Sequence, residues 1–139
     1  MLQPIQEEIL QLNQRLLEAI AAADWSVYEE LCDPGLTAFE PEARGHRVEG
    51  LAFHRFYFST GPAERSDASS DASNAASCTT MVDPRVTMLG EDAALLTCVR
   101  LVQAQTPQGP ITQRAEETRI WQRRDGSWRH IHFHRSDNG

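Results

Sequence analysis

Hydrophobic residues recur at helical spacing near the start of the chain. The apolar positions of this pattern are Ile5, Ile9, Leu12, Leu16, Leu17 and Ile20. Pro4 suits the first turn of a helix, so the pattern predicts a long amphipathic helix that packs on a broad surface such as a sheet. Asp24 suits the N-cap of a second, shorter helix, which would run from Trp25 to Leu31.

The middle of the chain alternates short predicted elements with turn signals. Residues 32–35 (CDPG) predict a turn, and residues 36–39 predict a short strand that ends at Glu40-Pro41-Glu42. Residues 51–58 (LAFHRFYF) predict a third helix, with a strand as the alternative because the segment is short and aromatic. Residues 61–77 are rich in Ala, Ser and Asp and poor in bulky apolar residues, so we expect a flexible inserted loop there.

The second half of the chain is typical of antiparallel strands. Pro84 indicates an edge strand or a bulge. Residues 93–105 are almost continuously apolar and predict a strand covered on both faces. Residues 111–124 and 127–135 complete a meander. Helices followed by a run of strands predict an α+β fold in one domain, residues 1–139, with a long helix on a strongly curved, mostly antiparallel sheet and a cavity between them.

Composition narrows the classes of protein that fit this fold. The formal net charge of −7 argues against a nucleic-acid-binding protein and against docking on anionic lipid. No apolar run approaches the ~20 residues that a membrane helix needs, and the N-terminus does not resemble a signal peptide. The three cysteines are odd in number and lack a paired short spacing, which fits a reducing compartment. We therefore expect a cytoplasmic location.

The last two strands form a hairpin around Asp125-Gly126, whose register decides which side chains face inward. A two-residue loop would pair Ile120 with Ile131 and would place Arg119 on the opposite face. A three-residue loop, with Gly126 as the left-handed bulge residue, would pair Arg119 with Ile131. We favour the three-residue loop, because it groups Trp121, Ile131 and Phe133 on one mixed face and leaves the three histidines of the last strand together on the other.

Three arginines would then converge on one cavity. Arg119 and Arg135 come from the hairpin, and alternation along the neighbouring strand brings Arg100 to the same side. Glu117 would lie beside them as an internal counter-charge. Burying unpaired charge is costly, and the planar guanidinium binds both oxygens of a carboxylate. The pattern therefore predicts a binding site for a small carboxylate or another anion.

The opposite face of the hairpin would carry three histidines, His130, His132 and His134. Alternate histidines on a strand can bind zinc, but the first and third would lie ~13 Å apart. No acidic residue or thiol is positioned to complete such a site, so we predict neither a metal nor a cofactor. We expect subunit contacts on this face, together with three further residues: Thr118, Ile120 and Trp128.

Four collinear stretches resemble the association (hub) domain of calcium/calmodulin-dependent protein kinase II. They are CDPGLTAFEPEARGHRVEG, LAFHRFYF, VDPRVTMLGEDAALLTCVRLVQ and AEETRIWQRRDGSWRHIHFHRS. The resemblance runs from Gln6 to Ser136 and is interrupted at residues 61–77. It implies a cone of the NTF2-like (cystatin-like, SnoaL-like) kind, related to ketosteroid isomerase. It also implies self-assembly of dimers into a two-tiered ring, similar to a dodecamer or tetradecamer.

The resemblance further implies a deep pocket lined by Arg100, Arg119 and Arg135, with His54 near its mouth. The segment at residues 61–77 replaces one that carries a tryptophan at the edge of the family's pocket. The sequence contains no Gly-rich loop, strand lysine or catalytic Asp constellation of a kinase, so we expect no kinase activity. The alternative is a small-molecule isomerase or lyase that uses Glu117 or His54 as a base. The arginines argue against it, because they would keep carboxylates ionised.

Overall fold

The computed structural model describes residues 2–67 and 77–136, and within them it contains three α-helices and one six-stranded sheet. The elements are α1 (Pro4–Ala22), α2 (Trp25–Leu31), β1 (Cys32–Phe39), a 3-10 turn (Pro41–Ala43), β2 (Val48–Glu49), α3 (Ala52–Asp67), β3 (Cys78–Met88), β4 (Ala93–Thr106), β5 (Gly109–Arg124) and β6 (Ser127–Arg135). The strand order is β2-β1-β6-β5-β4-β3, and every neighbouring pair is antiparallel except β1 and β6. This architecture is the α+β fold with a curved sheet that the sequence predicts.

Helix α1 packs its apolar face on the sheet, as the sequence predicts. Ile9, Leu16 and Leu17 are fully buried. Asn13 is also buried on this face, where its Oδ1 accepts a hydrogen bond of 3.0 Å from the indole Nε1 of Trp121. None of the helices in the described part of the chain is long and apolar enough to cross a membrane.

The junction between α2 and β1 differs in part from the prediction. Asp24 caps α2 as predicted, since its Oδ1 accepts from the backbone N–H of Val27 at 3.3 Å. The predicted turn at residues 32–35 is wrong, because β1 begins at Cys32 and pairs with His130 of β6. The register of this pair shifts before Thr37, so the strand absorbs Pro34-Gly35 as an irregularity.

Strands β3 and β4 test two predictions, one about Pro84 and one about the burial of residues 93–105. Pro84 lies at a register shift in β3, which is an edge strand, so that prediction is confirmed. The prediction that β4 is covered on both faces is wrong for the single chain. Its burial alternates: Leu96 is fully buried, whereas Leu95 and Thr97 are half-buried. The outer face of the sheet is therefore open.

Helix α3 confirms the helical reading of residues 51–58. It continues to Asp67, so the start of the predicted loop, residues 61–67, is helical instead. Ala63, Glu64 and Arg65 are good helix formers, and the prediction gave their propensity too little weight. Residues 68–76 lie outside the described residues, and the flexibility of the inserted loop stays a prediction.

Candidate functional site

The turn of the β5–β6 hairpin contains two residues. Arg124 pairs with Ser127, and both central residues have positive φ, 52° at Asp125 and 80° at Gly126. Those angles are typical of a type I′ turn, which the Asp-Gly pair favours and which matches the twist of the strands. The prediction of a three-residue loop is therefore wrong.

A β-bulge further along the hairpin restores the predicted facing of the arginines. Trp121 pairs with His130, but Ile120 pairs with His132, so Ile131 is the extra residue on β6. Beyond the bulge Arg119 lies opposite Phe133, and Glu117 lies opposite Arg135. Directly opposed residues share a face of the sheet, so Arg119, Glu117 and Arg135 lie on the same side as predicted.

Between the turn and the bulge, the facing of the side chains is reversed relative to the prediction. His130 is fully buried and Trp128 belongs to the core, so neither lies on the outer face. His132 does lie on that face, where its Nδ1 is 2.8 Å from the hydroxyl of Thr37. The predicted grouping of three histidines on one face is wrong.

A cavity of about 160 Å³ lies between the helices and the inner face of the sheet. It is lined by the four residues that the sequence singles out: His54, Arg100, Arg119 and Arg135. Apolar and aromatic walls come from the three helices: Ile20, Tyr28, Tyr57 and Phe58. The cavity thus combines three sheet arginines with helical aromatic and apolar walls, and two glutamates, Glu40 and Glu42, complete its lining.

Glu117 lies beneath two of these arginines and serves both. Its Oε1 accepts from Arg119 Nε at 3.0 Å, and its Oε2 accepts from Arg100 Nη1 at 3.2 Å. Burial alone would raise the pKa of Glu117, but the two guanidinium groups hold that pKa below its usual range. A carboxylate held ionised in this way is a weak proton acceptor, which disfavours its use as a general base.

Arg119 is fixed by a buried network on its other side. Its Nη1 donates to His130 Nε2 at 3.2 Å, and its Cζ lies 4.4 Å from the ring centroid of Phe133. Because arginine only donates, Nε2 is the acceptor and the imidazole proton is on Nδ1, 3.5 Å from the sulfur of Cys32. Burial lowers the pKa of His130 well below its usual value and raises the pKa of Cys32 to about 12. Both groups are therefore neutral.

Two glutamates at the mouth of the cavity are candidate site residues that the sequence analysis missed. Glu42 Oε1 accepts a hydrogen bond from Arg135 Nη2, and a carboxylate oxygen of Glu40 lies 3.0 Å from His54 Nε2. These residues follow β1, which runs parallel to β6 and so ends beside Arg135. The sequence predicts both elements but contains no signal for their pairing, because the strands are about a hundred residues apart.

Several buried polar atoms around the cavity have no hydrogen-bond partner among the described residues. They include the hydroxyl of Tyr28, Nδ1 of His54 and Nε of Arg100. Burial raises the pKa of Tyr28, so its hydroxyl stays protonated and available as a donor. Buried polar groups in native proteins are nearly always partnered, so these atoms indicate a place for a ligand or for water.

Comparison with known proteins agrees with this architecture. Residues 5–139 match the family model of the calcium/calmodulin dependent protein kinase II association domain. The chain belongs to this family. It is similar to the delta subunit of calcium/calmodulin-dependent protein kinase type II from Oryctolagus cuniculus, at 47% identity over 131 residues. That match covers 94% of the chain but only 23% of the longer relative.

Solved structures extend the comparison to the fold. The hub homology domain of the kinase from Chlamydomonas reinhardtii is 43% identical, with a TM-score of 0.85 and coverage of 96% of this chain and 98% of that one. An NTF2-like protein from Cytophaga hutchinsonii is only 18% identical but has a TM-score of 0.72, with 99% of each chain covered. The association domain therefore has the NTF2-like fold that the resemblance implies.

Proposed function

We propose that the chain is a self-association module whose subunits each carry an anion-binding pocket. Membership of the association-domain family and similarity to a kinase hub support the first part. The chain spans about a quarter of that relative's length, and no kinase activity is proposed for these residues. Cys32, Cys78 and Cys98 are all free thiols, in keeping with a reducing compartment such as the cytoplasm.

The open outer face of the sheet is the surface that we propose for subunit contacts. In the single chain it exposes Phe39 and Val82, at 38% and 39%, and Leu89 in the turn after β3 is 54% exposed. The ring of Phe39 also contacts His132 and His134 on this face. Apolar residues exposed along a sheet face favour burial against a second copy, and assembly into a two-tiered ring of dimers is the arrangement that the family suggests.

The observation that supports the pocket best is the uneven charge around Glu117. One carboxylate serves two buried guanidinium groups, so the cluster of Arg100, Arg119 and Glu117 has a net charge of +1. Arg100 also retains an unpartnered Nε. A buried surplus charge is costly unless an anion compensates it, so we propose that a small carboxylate binds against Arg100 and Arg119.

Analytical ultracentrifugation tests the self-association. We expect a large, discrete oligomer at micromolar protomer concentration. A monomer under those conditions would contradict the scaffold function. Substituting Val82 by Glu on the proposed contact face should lower the oligomer mass, whereas substituting Glu8 by Gln on the exposed side of α1 should leave it unchanged.

Thermal denaturation with sodium butyrate, against sodium chloride at equal ionic strength, tests the pocket. Ligand at ten times its Kd should stabilise the folded state by about 1.4 kcal/mol. Arg100→Gln should remove this stabilisation, because Arg100 carries the unpartnered donor. Arg47→Gln is the matched control, since Arg47 forms an exposed pair with Glu49. Equal stabilisation in all three proteins would mean that the arginines have only a structural role.

A further inference from the structure

A second, larger space adjoins the arginine cavity. This outer chamber has a volume of about 470 Å³, against about 160 Å³ for the inner cavity. Arg100, Arg135 and Glu42 line both spaces, so these three side chains form the partition between them. A ligand held by Arg100 at the partition therefore has a route into the chamber.

The outer chamber has its own surplus of positive charge. Its charged lining consists of Arg100, Arg114, Arg135 and Glu42. Glu42 is already hydrogen-bonded to Arg135, and Arg100 is paired with Glu117 beneath the inner cavity. Arg114 forms no ion pair within residues 2–67 and 77–136. The chamber thus offers one guanidinium group that has no ionic partner among these residues, separate from the surplus around Glu117.

We propose that the chamber is a second anionic subsite and that the site prefers an elongated dianion, an α,ω-dicarboxylate. One carboxylate binds Arg100 and Arg119 in the inner cavity. The other binds Arg114 in the chamber, where Thr112 and Gln113 add neutral polar groups. One carboxylate balances the net positive charge of the cluster around Glu117, and the other pairs with Arg114. The carbon chain of the ligand runs between the inner cavity and the outer chamber. The inference rests on the proposed anion-binding function.

Charge at the two ends also explains why the chain length of the ligand matters. Guanidinium–carboxylate hydrogen bonds are strong and directional, so the second end contributes only when the linker spans both groups. A chain that is too short leaves Arg114 unpaired. We therefore expect a maximum of affinity at one length within a dicarboxylate series, and a smooth change within a monocarboxylate series.

Isothermal titration calorimetry at constant ionic strength tests the inference. Succinate, glutarate, adipate and pimelate are compared with the monocarboxylates of equal carbon number. We expect the best dicarboxylate to bind about tenfold more tightly than its matched monocarboxylate. Arg114→Gln should remove that advantage and leave monocarboxylate binding unchanged. Arg85→Gln is the control, since its side chain is 75% exposed on an edge strand outside the chamber.

The outcomes separate this inference from the function on which it rests. Monocarboxylate binding without a dicarboxylate advantage would overturn the second subsite and leave the pocket intact. A dicarboxylate advantage that survives Arg114→Gln would overturn the role of Arg114. Failure of every carboxylate to bind would overturn the proposed pocket and the subsite with it. Because Arg114 is exposed, an unchanged melting temperature should accompany its substitution.

Discussion

Glu117→Gln is the sharpest perturbation of the cavity, because it removes one negative charge and keeps the side-chain shape. Glu117 is 2% exposed, and each of its oxygens accepts from a different arginine, at 3.0 Å from Arg119 and 3.2 Å from Arg100. Glutamine would turn an NH₂ group toward a guanidinium group, so two donors would face each other. The net charge of the cluster would rise from +1 to +2 in a buried place.

The expected loss of stability is large. Removing one partner of a buried ion pair costs about 3–5 kcal/mol, and here one carboxylate compensates two cations, so we expect the upper part of that range. A whole domain is stable by only about 5–15 kcal/mol. The control is Glu49→Gln, because the side chains of Glu49 and Arg47 are 62% and 59% exposed. Loss of such a surface pair costs less than about 1 kcal/mol.

Urea denaturation followed by circular dichroism measures both variants. Protomer concentration is held fixed, because self-association contributes to the apparent stability. A loss for Glu117→Gln no greater than that for Glu49→Gln would refute the argument from buried charge. If Glu117→Gln fails to fold, the double variant Glu117→Gln/Arg100→Gln restores a net charge of +1 and should recover part of the stability. Added butyrate should stabilise Glu117→Gln more than the wild type.

Three further predictions concern neighbouring residues. Burial lowers the pKa of folded His130 well below its usual value, so only the unfolded chain takes up this proton below about pH 6.5. The contribution of His130 to the free energy of unfolding is therefore complete above that pH. It is lost on acidification, by up to about 1.4 kcal/mol per pH unit. Urea titrations at several pH values should show a smaller slope for His130→Gln, and an equal slope would contradict a neutral His130. Cys78 is exposed and should react with a thiol reagent in the native state, whereas Cys32, with a pKa of about 12, should react only on unfolding. Mass spectrometry that maps early modification to Cys32 would contradict its burial. Asn13→Leu leaves the indole N–H of Trp121 unpaired and should cost about 1–3 kcal/mol in thermal denaturation. A change of a few tenths would contradict that hydrogen bond.

The features of the fold that were predicted correctly from the sequence are local ones. The apolar face of α1, the Asp24 cap and the Pro84 register shift each follow from spacing or from one residue type. The start of β1 at Cys32 was missed, because pairing with a strand far along the chain outweighs the local turn signal of Pro34-Gly35. Tertiary pairing of this kind routinely overrides propensity.

The residues of the candidate site also fall into those that local sequence predicts and those that depend on distant strand pairing. Alternation along β4 was enough to select Arg100, whereas the facing of Arg119 also depended on the predicted register of the hairpin. Glu42 was missed because its meeting with Arg135 depends on β1 lying parallel to β6. No spacing within either segment carries that information. Partners supplied by distant strands therefore need the three-dimensional structure.

The hairpin register explains why the wrong turn type still placed Arg119 on the correct face of the sheet. The predicted loop pairs Arg119 with Ile131, whereas the two-residue turn with a bulge at Ile131 pairs Arg119 with Phe133. The two registers differ by two residues, so every residue beyond the bulge faces the same way in either case. Only the residues between turn and bulge differ. Trp128 and His130 lie in that interval and are turned into the core. The position of the bulge, rather than its existence, therefore decides whether Arg119 has an imidazole behind it.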